Sequence, residues 1–430
     1  MFFSRRLGAA AIRRAGRASL RSYDVVIVGA GVAGLSCAWT LQAAGLDLLV
    51  IDAADGVGGR VRTDVCDGFL LDRGFQVLLT AYPEARRMLD YDRLRLRRFY
   101  PGALVRYSGK WRRVADPMRR PFAGALSVFN PIGSLADKLR VGRLRFSGGR
   151  RHATGPEKDT LRALREEGFS DAMIERFLRP FLGGVFLETE LRTTARKFAS
   201  VWRRFVAGDI AVPAEGMGRI PEQLAAELPE GALCLGSRVE ALGPGGVRLS
   251  DGESIAAANV VIATEAGEAA RLLDGRLDPP EFNGVSCLYF EAPTPPLREP
   301  ILALNGDGTG PINNLTVMSE VSACYAPEGK ALVSATVLKA WASETPVLER
   351  AVRAQFRDWF GEQANAWKLL RRYRIKHAVP FQTSSPLVAP RVRKGVYVCG
   401  DHCDVASLDS AMASGRAAAA CLLEERAARA

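Results

Sequence analysis

Histidine is scarce in this chain. Its 430 residues hold three, His152, His377 and His402, too few and too scattered for a histidine-rich metal centre. Cysteine is present but lacks pattern. The eight, at 37, 66, 234, 287, 324, 399, 403 and 421, form no C-x-x-C pair and no zinc spacing. Free thiols in a reducing compartment are expected, and no metal site. Long apolar runs are also missing. Stretches such as PFAGALSVFNPIG are broken by Pro and Gly before they reach the length that spans a bilayer. Acids are absent from residues 1 to 22, MFFSRRLGAAAIRRAGRASLRS, which carry six arginines. An Arg-rich, acid-free, amphipathic start reads as a mitochondrial presequence, because the membrane potential draws a positive helix inward. A plastid transit peptide and a plain basic tail are the alternatives. Without this segment the formal charge of +12 falls to +6. The fold is expected to begin near Tyr23.

The glycines are plentiful, and three of them are ordered. Residues 23 to 35 read YDVVIVGAGVAGL, an apolar strand that breaks into Gly29, Gly31 and Gly34. The helix-like SCAWTLQAAG follows directly. In such a G-x-G-x-x-G turn the first glycine makes the bend and the second admits a pyrophosphate. The third lets helix and strand pack closely. Val32 and Ala33 open the helix, whose free N–H groups face phosphate charge. The next strand, LDLLVID, ends on Asp52, placed to accept from ribose hydroxyls. A packing turn alone explains the glycines but leaves Asp52 without a role. The signal is dinucleotide binding.

At this length two lobes are expected. Residues 23 to 95, 205 to 275 and 390 to 430 read as one α/β lobe, because each contains short apolar strands ending near glycine or acid. Residues 96 to 204 read as helical and basic. Residues 276 to 389 mix strands with a helix near LERAVRAQFRDWFGE. The expected fold is therefore α/β, a discontinuous Rossmann-like nucleotide domain carrying an inserted α+β substrate domain. Ligands favour the crevice between two such lobes.

Which dinucleotide is decided by DGVGGRVRT, residues 55 to 63. Gly58 and Gly59 allow a second close backbone approach, and Arg60 and Arg62 bring charge to phosphate. With the first turn and Asp52, this run resembles the FAD-dependent amine oxidase, protoporphyrinogen oxidase and phytoene desaturase superfamily. The late VYVCGD, with Gly400 and Asp401, matches a second hallmark of that superfamily, and SRVEAL with VVIAT matches a third. The runs LLDRGFQVL, RPFLGGVF, SEVSACYAPEGKALVS and GDHCDVASLDSAMASGRAA look most like its phytoene-desaturase-like branch. The resemblance implies FAD, with Gly400 and Asp401 beside the ribityl chain, pyrophosphate and flavin. It implies the Val239 backbone at the adenine end. It also implies Gly216 and Met217, in AVPAEGMGRIPEQLA, as flavin or substrate contacts. The chain departs from the pattern in having Asp52 where Glu is common. It has no Ser-Gly-Gly-Cys run, so FAD is expected to be non-covalent, with Cys403 an ordinary buried thiol. Neither the amine oxidase lysine near flavin N5 nor the paired aromatic cage is placed.

No dedicated acid or base stands out, and hydride transfer to a flavin does not require one. His402, next to Asp401, and His377, in KHAVPFQ, are the catalytic candidates. His152 reads as a solvated loop residue. NGDGTG, 305 to 310, lacks a strand–turn–helix setting, so no second nucleotide site is expected. The flavin would then be reoxidised by oxygen, a quinone or another acceptor. The stretch from Arg86 to Arg120 holds twelve basic residues against three Asp, interleaved with Phe99, Tyr100, Tyr107 and Trp111. No nucleic-acid-binding module accompanies it. A solvated face and a membrane-surface patch are the two readings. The leading function is an FAD oxidoreductase that oxidises or desaturates a small lipophilic molecule by hydride transfer to flavin N5. A flavin amine oxidase and a flavoprotein with a scaffold role are the alternatives. Substrate identity and oligomeric state are left open.

Overall fold

The computed structural model describes residues 22–127 and 130–429. The presequence expected over 1 to 22 lies outside the described residues, except for Ser22, which opens the first strand. That strand, β1 (Ser22–Val28), buries every side chain from Val25 to Val28. A β-branched run without polar alternation suits a parallel strand covered on both faces. It feeds α1 (Val32–Ala43), and then β2 (Leu48–Ile51), also wholly buried. The chain next leaves for a second layer. There it forms β3 (Gly102–Tyr107), β4 (Lys110–Ala115), α2 (Pro121–Ser127), α3 (Leu135–Ser147), α4 (Arg179–Phe186) and α5 (Ala195–Ala207). It returns through Leu233–Cys234, Val239–Gly243 and Gly246–Leu249 to β5 (Ser254–Ile262). A second excursion makes β6 (Phe282–Ala292), β7 (Leu302–Asn305), β8 (Ile312–Val317), β9 (Ala331–Val337), α6 (Thr345–Phe360) and β10 (Lys368–Pro380). The chain ends in the first layer with β11 (Val396–Val398) and α7 (Leu408–Ala427).

Two sheets carry the architecture. In the first, Leu233–Cys234, β2, β1, β5 and β11 lie parallel in that order. An antiparallel meander, Val239–Gly243 and Gly246–Leu249, pairs with the first half of β5. The second sheet runs β10-β6-β9-β8-β7-β3-β4. Its strands are two-faced. In β9, Val333, Ala335 and Val337 pack under Leu348, Val352, Phe356 and Trp359 of α6. The alternate residue Thr336 faces a cavity between the two layers, with Val285, Leu302, Asn314 and Ile375 from neighbouring strands.

Residues 96 to 204 are not simply helical. They contain β3 and β4, and the short strand Arg97–Arg98. The partner of β3 is β7, far along the chain, with Val105 opposite Leu304 in parallel register. Ala103 and Val105 are buried with Leu304, so the strand is fixed by a partner remote in sequence. The lobe boundaries drawn at 95/96 and 204/205 also cut shared structure. Ile210–Val212 pairs with both Leu78–Leu79 and Arg97–Arg98, and α5 runs through residue 204. The aromatics of the basic stretch face inward. Phe99 is buried, Tyr100 lines the cavity, and Trp111 stacks on Phe360 at 5.7 Å. Several of its arginines are neutralised, such as Arg113 by Glu299 and Arg98 by Asp209.

Candidate active site

Strand register builds the site. Cys234 and Val28 both stand level with Ile51, and Ile262 stands level with Val28 and Val398. The carboxyl ends of five parallel strands therefore form one edge, where an open α/β sheet holds its ligand. Gly29, Asp52, Ala263 and Gly400 all come just beyond it and line one cavity of about 790 Å³.

Gly31, Val32 and Ala33 bring the start of α1 to that cavity. No side chain caps the helix and its first turn holds no acid, so its N–H groups remain available to an anion. Gly58 donates its N–H to the Ala30 carbonyl at 2.8 Å, which ties the GGR turn against the GAG turn. A Cβ built on Gly31 meets no protein atom within 4 Å, so the space before it is open. A Cβ on Gly34 would lie 1.9 Å from the Gly29 carbonyl oxygen. Gly34 thus sits below the cavity floor, where it sets the helix–strand approach.

The cavity has two polar ends. At one, the Asp52 carboxylate accepts from the N–H groups of Ala30 at 2.7 Å and Ala54 at 2.8 Å. Ser237, Arg238 and Val239 line the cavity as well. At the other, Gly59 and Gly400 flank an ion pair in which Arg60 donates to Asp401 at 2.6 Å and to the Ala378 carbonyl at 3.1 Å. Burial alone would raise the Asp401 carboxyl, but the Arg60 charge and hydrogen bond, with His402 and Lys197 further off, hold it below its ordinary value.

The remaining candidates divide between the cavity and its surroundings. Met217 lines the cavity, and its N–H donates to Asp72 at 2.9 Å. Gly216 does not face the cavity; a Cβ there would lie 2.5 Å from the Thr63 side chain. Arg62 turns away to Asp55, at 2.8 Å, and does not reach the phosphate side. His402 is buried beneath Gly400, with neither ring nitrogen hydrogen-bonded among the described residues. Burial lowers its pKa against the opposing pull of Asp401. His377 stacks on Phe282 and meets Glu265 at 3.2 Å, outside the cavity lining. His152 is not solvated. It is buried 3.0 Å from Glu167, because the short helix Arg150–Thr154 packs on α5.

Beyond the ion pair the cavity widens between the layers. Phe181, Val201, Phe205, Tyr100 and Leu302 make it mostly apolar, and Asn314 and Thr336 are its polar marks. Two groups here escaped the sequence reading. Lys197, in the first turn of α5, is buried yet lines the cavity. Asp72 is fully buried and accepts from the Thr63 hydroxyl at 2.6 Å, the Met217 N–H and the Tyr325 hydroxyl at 2.8 Å. The runs LLDRGFQVL and RPFLGGVF contain Asp72 and Phe181 but do not announce which side chains face inward. A lysine in a helix's first turn, against the helix dipole, was the available signal for Lys197.

The fold and the site define a dinucleotide-binding oxidoreductase of the two-layer type, with cofactor turns on one sheet and a substrate chamber under the other. Residues 32–423 match the family of flavin-containing amine oxidoreductases, and the chain belongs to that family. A curated relative, the coproporphyrinogen III oxidase of Propionibacterium freudenreichii, is 26% identical over 381 residues, covering 72% of this chain and 71% of that protein. The hydroxyneurosporene desaturase of Rubrivivax gelatinosus is 47% identical over 55 residues, 13% of this chain and 10% of that one. Among solved structures, an oxidoreductase from Methanosarcina mazei superposes with a TM-score of 0.73 at 16% identity, covering 93% of this chain and 99% of that one. The chain is thus an FAD-dependent oxidoreductase related to porphyrinogen oxidases and desaturases.

Proposed function

We propose that this enzyme oxidises or desaturates a small, largely apolar organic molecule held in the chamber between the layers. One observation carries the proposal: the cavity runs without a break from the glycine turns to the apolar walls at Phe181 and Phe205. The residues fit FAD. The free start of α1 and the open space before Gly31 suit a pyrophosphate, and Asp52 suits a ribose. When bound, FAD would supply two-electron, hydride-accepting oxidation, with oxygen or a quinone as the expected final acceptor. The chain's part is to orient and to keep water out. Met217, fixed through Asp72, and the Arg60–Asp401 pair shape the end where the two regions meet. Neither His402 nor His377 lines the cavity, so no histidine holds the reacting proton. Cys399 and Cys403 are buried off the cavity with their thiol pKa values pushed up by burial, which supports non-covalent FAD.

Anaerobic mixing with candidate reductants tests this reading. Porphyrinogens should bleach the flavin absorbance. Bleaching by polyamines or monoamines, with hydrogen peroxide released in air, would instead favour the amine oxidase alternative.

A lipid surface is the proposed route for such a substrate. Of nine large exposed hydrophobic residues among those described, five fall between 118 and 146: Met118, Phe122, Leu135, Leu139 and Phe146. On α3, Leu135, Leu139 and Phe146 share one stripe, and Arg140, Arg143 and Arg145 belong to the same helix. Arg120, at the start of α2, lies 5.4 Å over the ring of Tyr100, a cavity wall. Arg145 and Arg140 are paired with Asp116 and Asp137, and the exposed Arg143 stands on the same helix as the apolar stripe, which suits anionic lipid.

A further inference from the structure

Four cations line the cavity: Arg60, Arg73, Arg238 and Lys197. Three are paired. Arg60 meets Asp401 at 2.6 Å, Arg73 meets Asp64 at 3.0 Å, and Arg238 meets Glu268 at 3.0 Å. Lys197 alone has no carboxylate within 4.0 Å among the described residues, although it is only 2% exposed. Its Nζ stands 5.9 Å over the Phe186 ring. The carboxylates whose charge reaches it are Asp401 and Glu188, and both are committed elsewhere. Asp401 is held by Arg60. Glu188 accepts from the Leu191 N–H at 2.7 Å, and from the Thr193 N–H and hydroxyl at 3.0 Å. The lysine also occupies the first turn of α5, where the helix dipole opposes a cation. Folding gains nothing from an unpaired buried ammonium in this position, and a methionine would pack there at less cost.

We propose that Lys197 is the anchor for an anionic group, a carboxylate, on an otherwise apolar substrate. This rests on the reading of the cavity as an FAD site joined to a substrate chamber. Among the described residues, Lys197 is also the one charged side chain that the second layer, β3 to α5 and β6 to β10, supplies to the cavity. It would fix which end of an amphiphilic molecule lies deepest. Burial lowers the ammonium pKa to about 8 against the pull of Asp401 and Glu188, with Arg60 adding to the lowering. The anchor therefore holds its charge at neutral pH and loses it as pH rises through 8.

The test uses the purified flavin-loaded enzyme and two probes of one shape, 1-naphthoate and 1-naphthamide, with binding read by calorimetry. At pH 7 the wild type should prefer the acid by about tenfold or more, as one ionic hydrogen bond implies. Lys197→Met should abolish the preference, and Lys197→Arg should keep most of it. In the wild type, naphthoate affinity should fall about tenfold from pH 7 to pH 9 while naphthamide affinity stays level. That arm needs no variant, so it stands even if Lys197→Met folds poorly. A flavin-loaded wild type without preference for the acid overturns the proposal, as does a Lys197→Met that keeps the preference. Loss of FAD from Lys197→Met would assign the lysine to the cofactor's phosphates and also overturn it. A protein that never carries flavin is a different failure, that of the underlying FAD reading, and shows in the absorbance before any probe is added.

Discussion

Asp72 illustrates what a single buried carboxyl does here. Burial raises its pKa to about 6, against three donors that favour its charge. Those donors belong to Thr63, Met217 and Tyr325, so one side chain clamps the loop that brings Met217 to the cavity. Asp72→Asn replaces acceptor lone pairs with an NH2 that faces donors. It should cost about 1–3 kcal/mol in urea unfolding and raise KM more than it changes flavin content. The pH sign follows from linkage. The folded carboxyl binds its proton more tightly than the unfolded one, so its contribution to stability is lost as pH rises from about 4 to 6. Unfolding midpoints across that window should show the slope in the wild type and lose it in Asp72→Asn. At this scale the sequence was readable where backbone geometry demands a residue type. Gly29, Gly31 and Asp52 follow from turn and strand order, and the structure sets all three on one cavity. Side-chain direction was not readable. Gly216, Arg62 and His152 each turn away from the environment their neighbours suggested, toward Thr63, Asp55 and Glu167.

The pairing of α1 with α7 is the element on which the phosphate end depends. The two helices cross where Gly415 meets the first turn of α1, and a Cβ on Gly415 would lie 2.1 Å from the Ala33 carbonyl oxygen. Backbone cannot yield there without tilting the helix start that faces the cavity. Gly415→Ala should therefore destabilise by about 1–3 kcal/mol, and the remaining folded protein should bind FAD more weakly. Thermal melting and flavin content per chain measure the two effects separately. The alanine-rich sequence of α7 suits a helix, but its close docking is not legible in it, since only the partner's backbone explains the glycine. Long-range pairing hid β3 for the same reason. Its six residues give a short pattern, and β7, its parallel partner, comes only in the next excursion, about 200 residues on.

Across the whole molecule, the nucleotide layer was legible and the substrate layer much less so. Parallel strands ending in glycine or acid carry a spacing that survives alone, whereas the chamber is assembled from α4, α5 and alternate faces of the second sheet. The lipid-facing proposal belongs to this scale, because it needs α2 and α3 exposed beside the chamber. Sedimentation with anionic vesicles at low salt should carry the enzyme down, and high salt should weaken it. Leu139→Glu with Phe146→Glu should cut the bound fraction severalfold without altering the flavin spectrum. Equal sedimentation of the double variant would remove the α3 stripe from the account.

The central claim is that the glycine turns, Asp52 and the Arg60–Asp401 end form one FAD site. Absorbance of the purified protein before and after acid denaturation tests it most directly, beside Gly31→Leu, whose side chain would fill the space left for pyrophosphate. The account predicts the bands of oxidised flavin, FAD in the acid supernatant, and a folded but colourless Gly31→Leu. A colourless wild type that takes up NAD, or a Gly31→Leu with full flavin content, would contradict it.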